Sequence, residues 1–386
     1  MKSTSRALKR LSICSSIVLG LFAASVQAAP VQLNIVDVAG DLALTQKALE
    51  NFQKENPDLV SRITFTKAPA PQIPGKIQAM QRAKRVDIDL VLTGSDALAA
   101  GIEQGLWLKL LPDLQEQLPG VMENYTPNAA AMQELAHGQA LLVVIGNAGP
   151  MIEYNPAKVK DVPKTPDELL KWCQANPGKF IYARPANSGP GRAFLMGLPY
   201  LLGDKDPKDP VNGWEKTWAY LKQLNDCIPY YPGGTGAVMK ELGDGSRDMT
   251  ATSAGWDINP RALGIVPEDF KVQPFTNTTW VDDAHYMAIP KGVSEEKQKV
   301  LIKLLNYMLE KKQQAMTYDS GYHFPGPAVK GVTLADAPAE SQEVLKKYGR
   351  AEYDKWLTEF PHVLPLDAAV MVKAFQKWDT EIGALK

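Results

Sequence analysis

Short apolar runs alternate with longer segments of helical periodicity along most of the chain. Residues 31–36 alternate apolar and polar side chains, which predicts a strand, and apolar residues recur at helical spacing over 41–55. The same alternation predicts strands at 62–66 and 87–92, and helices at 73–82 and 95–105. Strands and helices that alternate at this spacing predict a parallel sheet with right-handed crossovers.

A second strand–helix series follows the first. Further strands are predicted at 139–145, 151–154, 180–184, 249–252 and 285–289, and further helices at 166–175, 189–202, 213–226 and 295–312. Thr165 opens a capping box, and Asn212 and Ser294 are the expected N-caps of their helices. The tail is predicted to be helical, with its last helix over about 367–384. The pattern therefore predicts an α/β protein with two sheet-containing units.

The N-terminus has the three parts of a secretory signal. Basic residues precede an apolar run over 11–24, and in Val26-Gln27-Ala28 the two positions that a signal peptidase reads, Val26 and Ala28, have short side chains before the expected cleavage after Ala28. The apolar run is shorter than the ~20 residues of a membrane-spanning helix. We therefore assign residues 1–28 as a cleavable signal peptide and expect a periplasmic protein.

Charge and cysteine content narrow the partners and the compartment. The 42 basic and 43 acidic residues give no basic footprint for nucleic acid. Beyond the signal peptide two cysteines remain, Cys173 and Cys227. An exported protein meets an oxidising compartment, which favours a disulfide between them, with two buried free thiols as the alternative.

Motifs of catalysis and of metal binding are missing from the sequence. There is no nucleophile elbow, no phosphate-binding Gly-rich loop and no His-Glu-x-x-His. The histidines at 137, 285, 323 and 362 are scattered, so the sequence predicts no metal site, no cofactor and no enzyme. Two alternatives stay open: an exported hydrolase acting on polysaccharides, and a ferric-iron binder that uses Tyr230 and Tyr231, which otherwise shape the turn after them.

Loops that follow predicted strands carry small, polar and aromatic residues. They lie at 38–41, 93–96, 146–149 and 254–257, and the turn at 187–189 precedes a helix that carries Arg192. In open parallel sheets, ligands bind beyond the carboxyl ends of strands. Each feature has a simpler interpretation: Ser95 and Ser188 as helix caps, Arg192 as a surface charge, and Trp256 as a core residue.

Four stretches resemble periplasmic solute-binding proteins of bacterial ABC importers, the type with maltose-, polyamine-, iron- and thiamine-binding members. The stretches are 89–96 with Gly105-Leu106-Trp107-Leu108, 151–159 with 163–170, 288–292 with the helix after it, and 313–325. Pro166 stands where the family usually has an aromatic residue. Their order and spacing together span nearly the whole chain beyond residue 28.

The resemblance implies a type II periplasmic-binding-protein fold, with two lobes that are each a mainly parallel sheet flanked by helices. Lobe I would comprise 29–145 and 287–325, and lobe II 146–286 and 326–386. A small-molecule solute would bind between them, and closure about the hinge would present the monomer to an ABC permease in the inner membrane.

The resemblance also implies which residues bind the solute. The family's cleft positions fall on Gly40, Asp41, Thr93, Gly94, Ser95, Asp96, Asn147, Asn187, Ser188, Gly189, Trp256 and Asp257. The character of the residues themselves adds Arg192, Trp280 and Asp282. Aromatic faces pack on sugars or attract organic cations, and carboxylates accept hydrogen bonds from hydroxyl groups. We therefore expect a sugar or polyol, with an organic cation that resembles a polyamine or thiamine, phosphorylated or not, as the alternative.

Overall fold

The computed structural model describes residues 29–38 and 40–386, so the predicted signal peptide lies outside the described residues. Among the described residues, no helix is both long enough and apolar enough to cross a membrane.

Twelve strands and fifteen helices carry the labels used below. The strands are β1 (Val31–Asp37), β2 (Val60–Lys67), β3 (Leu90–Gly94), β4 (Leu141–Ile145), β5 (Met151–Tyr154), β6 (Phe180–Ile181), β7 (Met249–Thr252), β8 (Lys271–Pro274), β9 (Trp280–Val281), β10 (Ala284–Ala288), β11 (Gly326–Pro327) and β12 (His362–Val363). The helices are α1 (Leu42–Glu55), α2 (Ile73–Arg82), α3 (Ser95–Glu103), α4 (Val121–Asn124), α5 (Pro127–Glu134), α6 (Pro166–Ala175), α7 (Gly189–Leu202), α8 (Glu215–Asn225), α9 (Thr235–Gly243), α10 (Ile258–Ala262), α11 (Glu295–Met308), α12 (Lys311–Ala315), α13 (Ala339–Tyr348), α14 (Glu352–Glu359) and α15 (Ala368–Glu381).

A six-stranded sheet forms the first lobe, in the order β11-β4-β10-β3-β1-β2. β1 pairs in parallel with β2 and β3, as the strand–helix alternation predicts. β10 inserts antiparallel between β3 and β4. Because β10 begins at Ala284 and β11 also joins this sheet, the chain lies beside the first sheet over 284–288 and at 326–327, slightly outside the expected lobe limits.

The second sheet has the order β6-β7-β5-β8. Only β6 and β7 are parallel, whereas β5 runs antiparallel to both β7 and β8. This sheet is therefore less parallel than the sequence predicts. β5 is the reversed strand, because it lies between β7 and β8 and runs opposite to both of them. A short parallel pair, β9 with β12, ties the tail to this half of the molecule.

Each large sheet has its own hydrophobic core. The first core joins strands β1, β3, β4 and β10 to α1, α5 and α11. The second core joins β6 and β7 to α7 and α8, and the tail helix α15 contributes Phe375 and Trp378 to it. α15 also packs against α3 of the first lobe. Cys173 and Cys227 are joined as a disulfide that links α6 to the end of α8, with 5.8 Å between their Cα atoms.

Several local expectations differ from the structure. Gly94 takes the extended N-cap position of α3, so Ser95 is the first helical residue and its hydroxyl donates to Asp283 instead of capping. Asn212 is held by Asp209, and α8 begins only at Glu215. Lys311 opens the separate helix α12 rather than ending α11.

Candidate functional site

A cavity of about 520 Å³ lies between the two sheets, where strand-end loops of the first lobe face helix starts of the second. Its walls include nine of the residues predicted from sequence: Gly40, Gly94, Asp96, Asn147, Asn187, Ser188, Gly189, Arg192 and Trp256. Cavities of this size hold small molecules rather than macromolecules. The structure therefore gathers loops that are far apart in sequence around one space.

Three predicted residues lie directly behind the cavity wall. Asp41 is fully buried and contacts His285, which does line the cavity. Thr93 is buried in β3, and its hydroxyl donates to the Gly94 carbonyl oxygen. Ser95 donates to Asp283, another wall residue. These side chains contact wall residues without facing the space.

The remaining three predicted residues do not line the cavity, because their side chains bind other parts of the protein. Asp257 is fully buried and pairs with Arg261 and Arg350. Trp280 is a core residue: it is fully buried, and its indole N–H donates to the Trp356 carbonyl oxygen. Asp282 accepts from His362, 2.7 Å away. The sequence analysis gave Asp257 as a family cleft position and Trp280 and Asp282 from their chemical character, but all three side chains bind residues of the C-terminal tail.

Arg192 is not a surface charge, because it is buried between two carboxylates from different parts of the fold. Its guanidinium donates to Asp96 of α3 at 3.0 Å and to Asp283, between β9 and β10, at 2.8 Å. Burial alone would lower the pKa of Arg192, but the two carboxylates outweigh it and raise that pKa. The sequence analysis missed Asp283, since only its neighbour Asp282 was considered. The triad joins α7 of the second lobe to the first lobe.

An aromatic wall closes one side of the cavity. Trp256 meets Tyr322 edge-to-face, with 4.8 Å between ring centroids, and both line the space. The Trp256 indole N–H is buried without a hydrogen-bond partner. The Tyr322 hydroxyl covers Gly40 so closely that a Cβ there would overlap it, and Gly40 has a left-handed φ of +81°. Glycine at position 40 is therefore required by both the contact and the backbone conformation.

Two histidines meet at the floor of the cavity, although 38 positions separate them in sequence. His285 and His323 have ring centroids 4.0 Å apart, and Asp41 contacts His285 from behind. Burial raises the pKa of Asp41 to about 6 against the opposing effect of His285. Burial lowers the pKa of His323 well below its usual value. Burial also opposes protonation of His285, but Asp41 outweighs it and raises that pKa.

This group is the main feature that sequence reasoning missed. Within the described residues, Asp41, His285 and His323 place one possible ligand atom each within 4.8 Å of the others. By contrast, Tyr230 is exposed and its hydroxyl contacts Glu241, and Tyr231 is buried and donates to Asn225. Neither phenol lines the cavity.

The starts of α7 and α9 face each other across the second lobe's side of the cavity. The Ser188 hydroxyl accepts from the Gly191 N–H at 3.1 Å and lies 2.7 Å from the Thr235 hydroxyl. Ser253 lines the same side, and its buried hydroxyl has no partner. At α9 the first N–H groups have no acceptor within the helix and no side-chain cap, so this start offers hydrogen-bond donors, whereas at α7 Pro190 has no N–H and the Gly191 N–H is already capped.

Two sheet-containing lobes thus enclose one cavity lined by residues from many separate segments. A family model for bacterial extracellular solute-binding proteins matches residues 47–346, so the chain belongs to that family. The chain is therefore a bacterial extracellular solute-binding protein. No curated protein matches the chain significantly by sequence.

Solved structures share the fold at low sequence identity. The periplasmic binding protein AfuA from Actinobacillus pleuropneumoniae, with fructose-6-phosphate bound, is 17% identical over 91% of this chain and 98% of its own, with a TM-score of 0.63. A putative spermidine/putrescine ABC transporter protein from Listeria monocytogenes is 16% identical over 92% of this chain and 99% of its own, with a TM-score of 0.63. A ferric ion-binding protein from Pasteurella haemolytica is 14% identical over 91% of this chain and 97% of its own, with a TM-score of 0.61.

Proposed function

We propose that the chain is exported by a cleaved signal peptide, captures a small sugar or polyol in this cavity, and delivers it unchanged to its permease. The observation that carries the proposal is the composition of the wall: the Trp256–Tyr322 aromatic pair and the Arg192–Asp96–Asp283 triad line the same cavity. An aromatic face packs on the apolar face of a sugar ring, while charged and amide groups hydrogen-bond its hydroxyls.

The hydrogen-bonding groups suit hydroxyls because donors and acceptors are mixed. Asn259 offers its amide oxygen, since its nitrogen donates to Ser320, while Ser253 offers an unpartnered hydroxyl and the α9 start offers N–H groups. A hydroxyl both donates and accepts, so a polyol can satisfy such a mixed surface, whereas a simple ion cannot.

An organic cation is the second candidate, since carboxylates outnumber guanidinium groups at the wall and an aromatic pair is present. The Listeria relative named for spermidine and putrescine supports this class. The ion pairs weaken that support, because Arg192 engages both Asp96 and Asp283 and offsets one of their two negative charges.

The same ion pairs weigh against a hydrolase. A glycosidase needs one carboxyl that gives up a proton and a second that acts as nucleophile or base. Asp96 and Asp283 both accept from the buried Arg192 guanidinium, so both carboxyl groups of the wall are engaged in ion pairs rather than placed as a separate acid and nucleophile. We therefore propose binding without turnover by a monomer whose first lobe comprises 29–145 and about 284–329.

A thermal-shift screen over sugars, polyols, sugar phosphates, polyamines and amino acids tests the proposal. A ligand that binds only the folded protein stabilises it by mass action, and this raises the melting temperature. At a ligand concentration one hundred times Kd, the free energy of unfolding increases by about 2.7 kcal/mol. We expect hits among the sugars or polyols. Hits confined to polyamines would favour the second candidate, and conversion of a hit into product would refute a pure binding function.

A further inference from the structure

Asp41, His285 and His323 have the composition of a transition-metal site. They come from three separate segments, and all three side chains are more than nine-tenths buried. One possible ligand atom from each lies within 4.8 Å of the other two. Two imidazoles with one carboxylate form a set that binds divalent first-row metals and leaves further coordination positions open.

The atoms that would bind a metal lack hydrogen-bond partners. Nε2 of His323, Nδ1 of His285 and both carboxylate oxygens of Asp41 are buried without a hydrogen bond. His285 Nδ1 and one Asp41 oxygen contact each other directly as an ion pair, so the atoms left without any polar partner are His323 Nε2 and the second Asp41 oxygen. Most buried polar atoms in folded proteins have a partner, so such unpartnered atoms at one point indicate a missing ion or ligand.

The orientation of His323 is fixed by its neighbours. Its Nδ1 lies 2.7 Å from the Asn147 amide oxygen, so Nδ1 carries the hydrogen and Nε2 keeps its lone pair. The Asn147 amide is held in turn, because its nitrogen donates to the Ala254 carbonyl oxygen at 3.0 Å. Metal-binding histidines commonly have the other ring nitrogen anchored in this way.

We propose that Asp41, His285 and His323 bind one divalent first-row transition-metal ion at the floor of the cavity. Metal bonds of about 2.0–2.1 Å require the His323 atom to approach the other two ligand atoms, and the closely paired Asp41 and His285 atoms to separate slightly, through small side-chain rotations. His285 and His323 line the cavity, so the open coordination positions face the solute. The inference rests on the proposed function and narrows its solute to one with oxygen donors that chelate a metal, such as a polyol or hydroxy acid.

Cobalt(II) titration of the untagged, chelator-stripped chain tests the site. We expect a visible absorption that saturates at one Co²⁺ per chain and disappears when Zn²⁺ is added. His323→Gln and His285→Gln should each weaken Co²⁺ binding by about tenfold or more. His137→Gln is the matched control, since His137 is exposed and pairs with Asp367 away from the cavity, and it should bind as the wild type does.

Circular dichroism establishes whether each variant is folded. If His285→Gln, which lies within β10, does not fold, His323→Gln alone tests the site. Absence of stoichiometric Co²⁺ binding overturns the inference, as does binding that survives both cavity substitutions but is lost in His137→Gln. Repeating the solute screen with chelator present separates the two proposals. A solute that stabilises the metal-free chain while no Co²⁺ binds would leave the proposed function standing and remove only the metal site.

Discussion

Trp256 is the residue whose role in the cavity can be tested most directly. It is 7% exposed, lines the space, and meets Tyr322 edge-on. Trp256→Ala should weaken binding of the screened solute by about 1–3 kcal/mol, because the stacking surface is lost from a buried position. Calorimetry measures the change, with Trp172→Ala on α6, outside the cavity lining, as the matched control. Unchanged affinity in a folded Trp256→Ala variant would place the solute elsewhere.

Glu153 gives a second prediction at the residue scale. It is fully buried in β5 and neither carboxylate oxygen has a hydrogen-bond partner. Burial, with the nearby Asp257, raises its pKa to about 8. The pKa of Glu153 is higher in the folded chain than in the unfolded chain. The contribution of Glu153 to the free energy of unfolding is therefore fully present below about pH 4.5 and is lost as the pH rises toward about 8.

Glu153→Gln removes that decline, because the amide does not ionise. The melting temperature of the variant should exceed that of the wild type by several degrees near pH 9, and the two should converge near about pH 5. The measurement is thermal unfolding across that range. Parallel curves for the two proteins would show that Glu153 is ionised at little cost and that the account of its burial is wrong.

At the scale of elements, a glycine contact packs α3, which is part of the first lobe, against the segment that follows it. A Cβ on Gly101 would lie inside the Trp107 indole, whereas a Cβ on Gly75 of α2 would meet nothing within 4 Å. Alanine in a helix normally adds up to about 1 kcal/mol over glycine. Gly75→Ala should therefore stabilise the chain, while Gly101→Ala should destabilise it by about 1–3 kcal/mol through overpacking. Denaturant unfolding compares them, and a stabilising Gly101→Ala would contradict this packing.

The elements also show what the sequence can and cannot predict. Periodicity placed α2 at Ile73–Arg82 and β5 at Met151–Tyr154 because local spacing alone determines them. It missed α9, whose start lies in a glycine-rich segment, and it could not bring His323 to His285, since that contact depends on how the return strand β10 and the following segment pack. Loop positions were predictable, but the direction in which Trp280 or Asp257 turns was not.

At the scale of the whole molecule, the Arg192 triad joins the lobes. Arg192 on α7 binds Asp96 on α3 and Asp283 between β9 and β10, and all three are buried. Arg192→Met would leave two buried carboxylates unpaired, so we expect a loss of about 3–5 kcal/mol in the free energy of unfolding. Arg85→Met is the control, because the exposed Arg85–Asp87 pair should contribute at most about 1 kcal/mol. Equal losses in the two variants would mean that the triad does not link the lobes.

The central claim is that the cavity between the lobes binds one solute molecule and leaves it chemically unchanged. The most direct test is calorimetric titration of the strongest sugar or polyol from the screen into the chain, followed by recovery and mass analysis of that solute. The account predicts saturation at one molecule per chain and full recovery of the same compound. Heat without saturation, or recovery of a converted product, would contradict it.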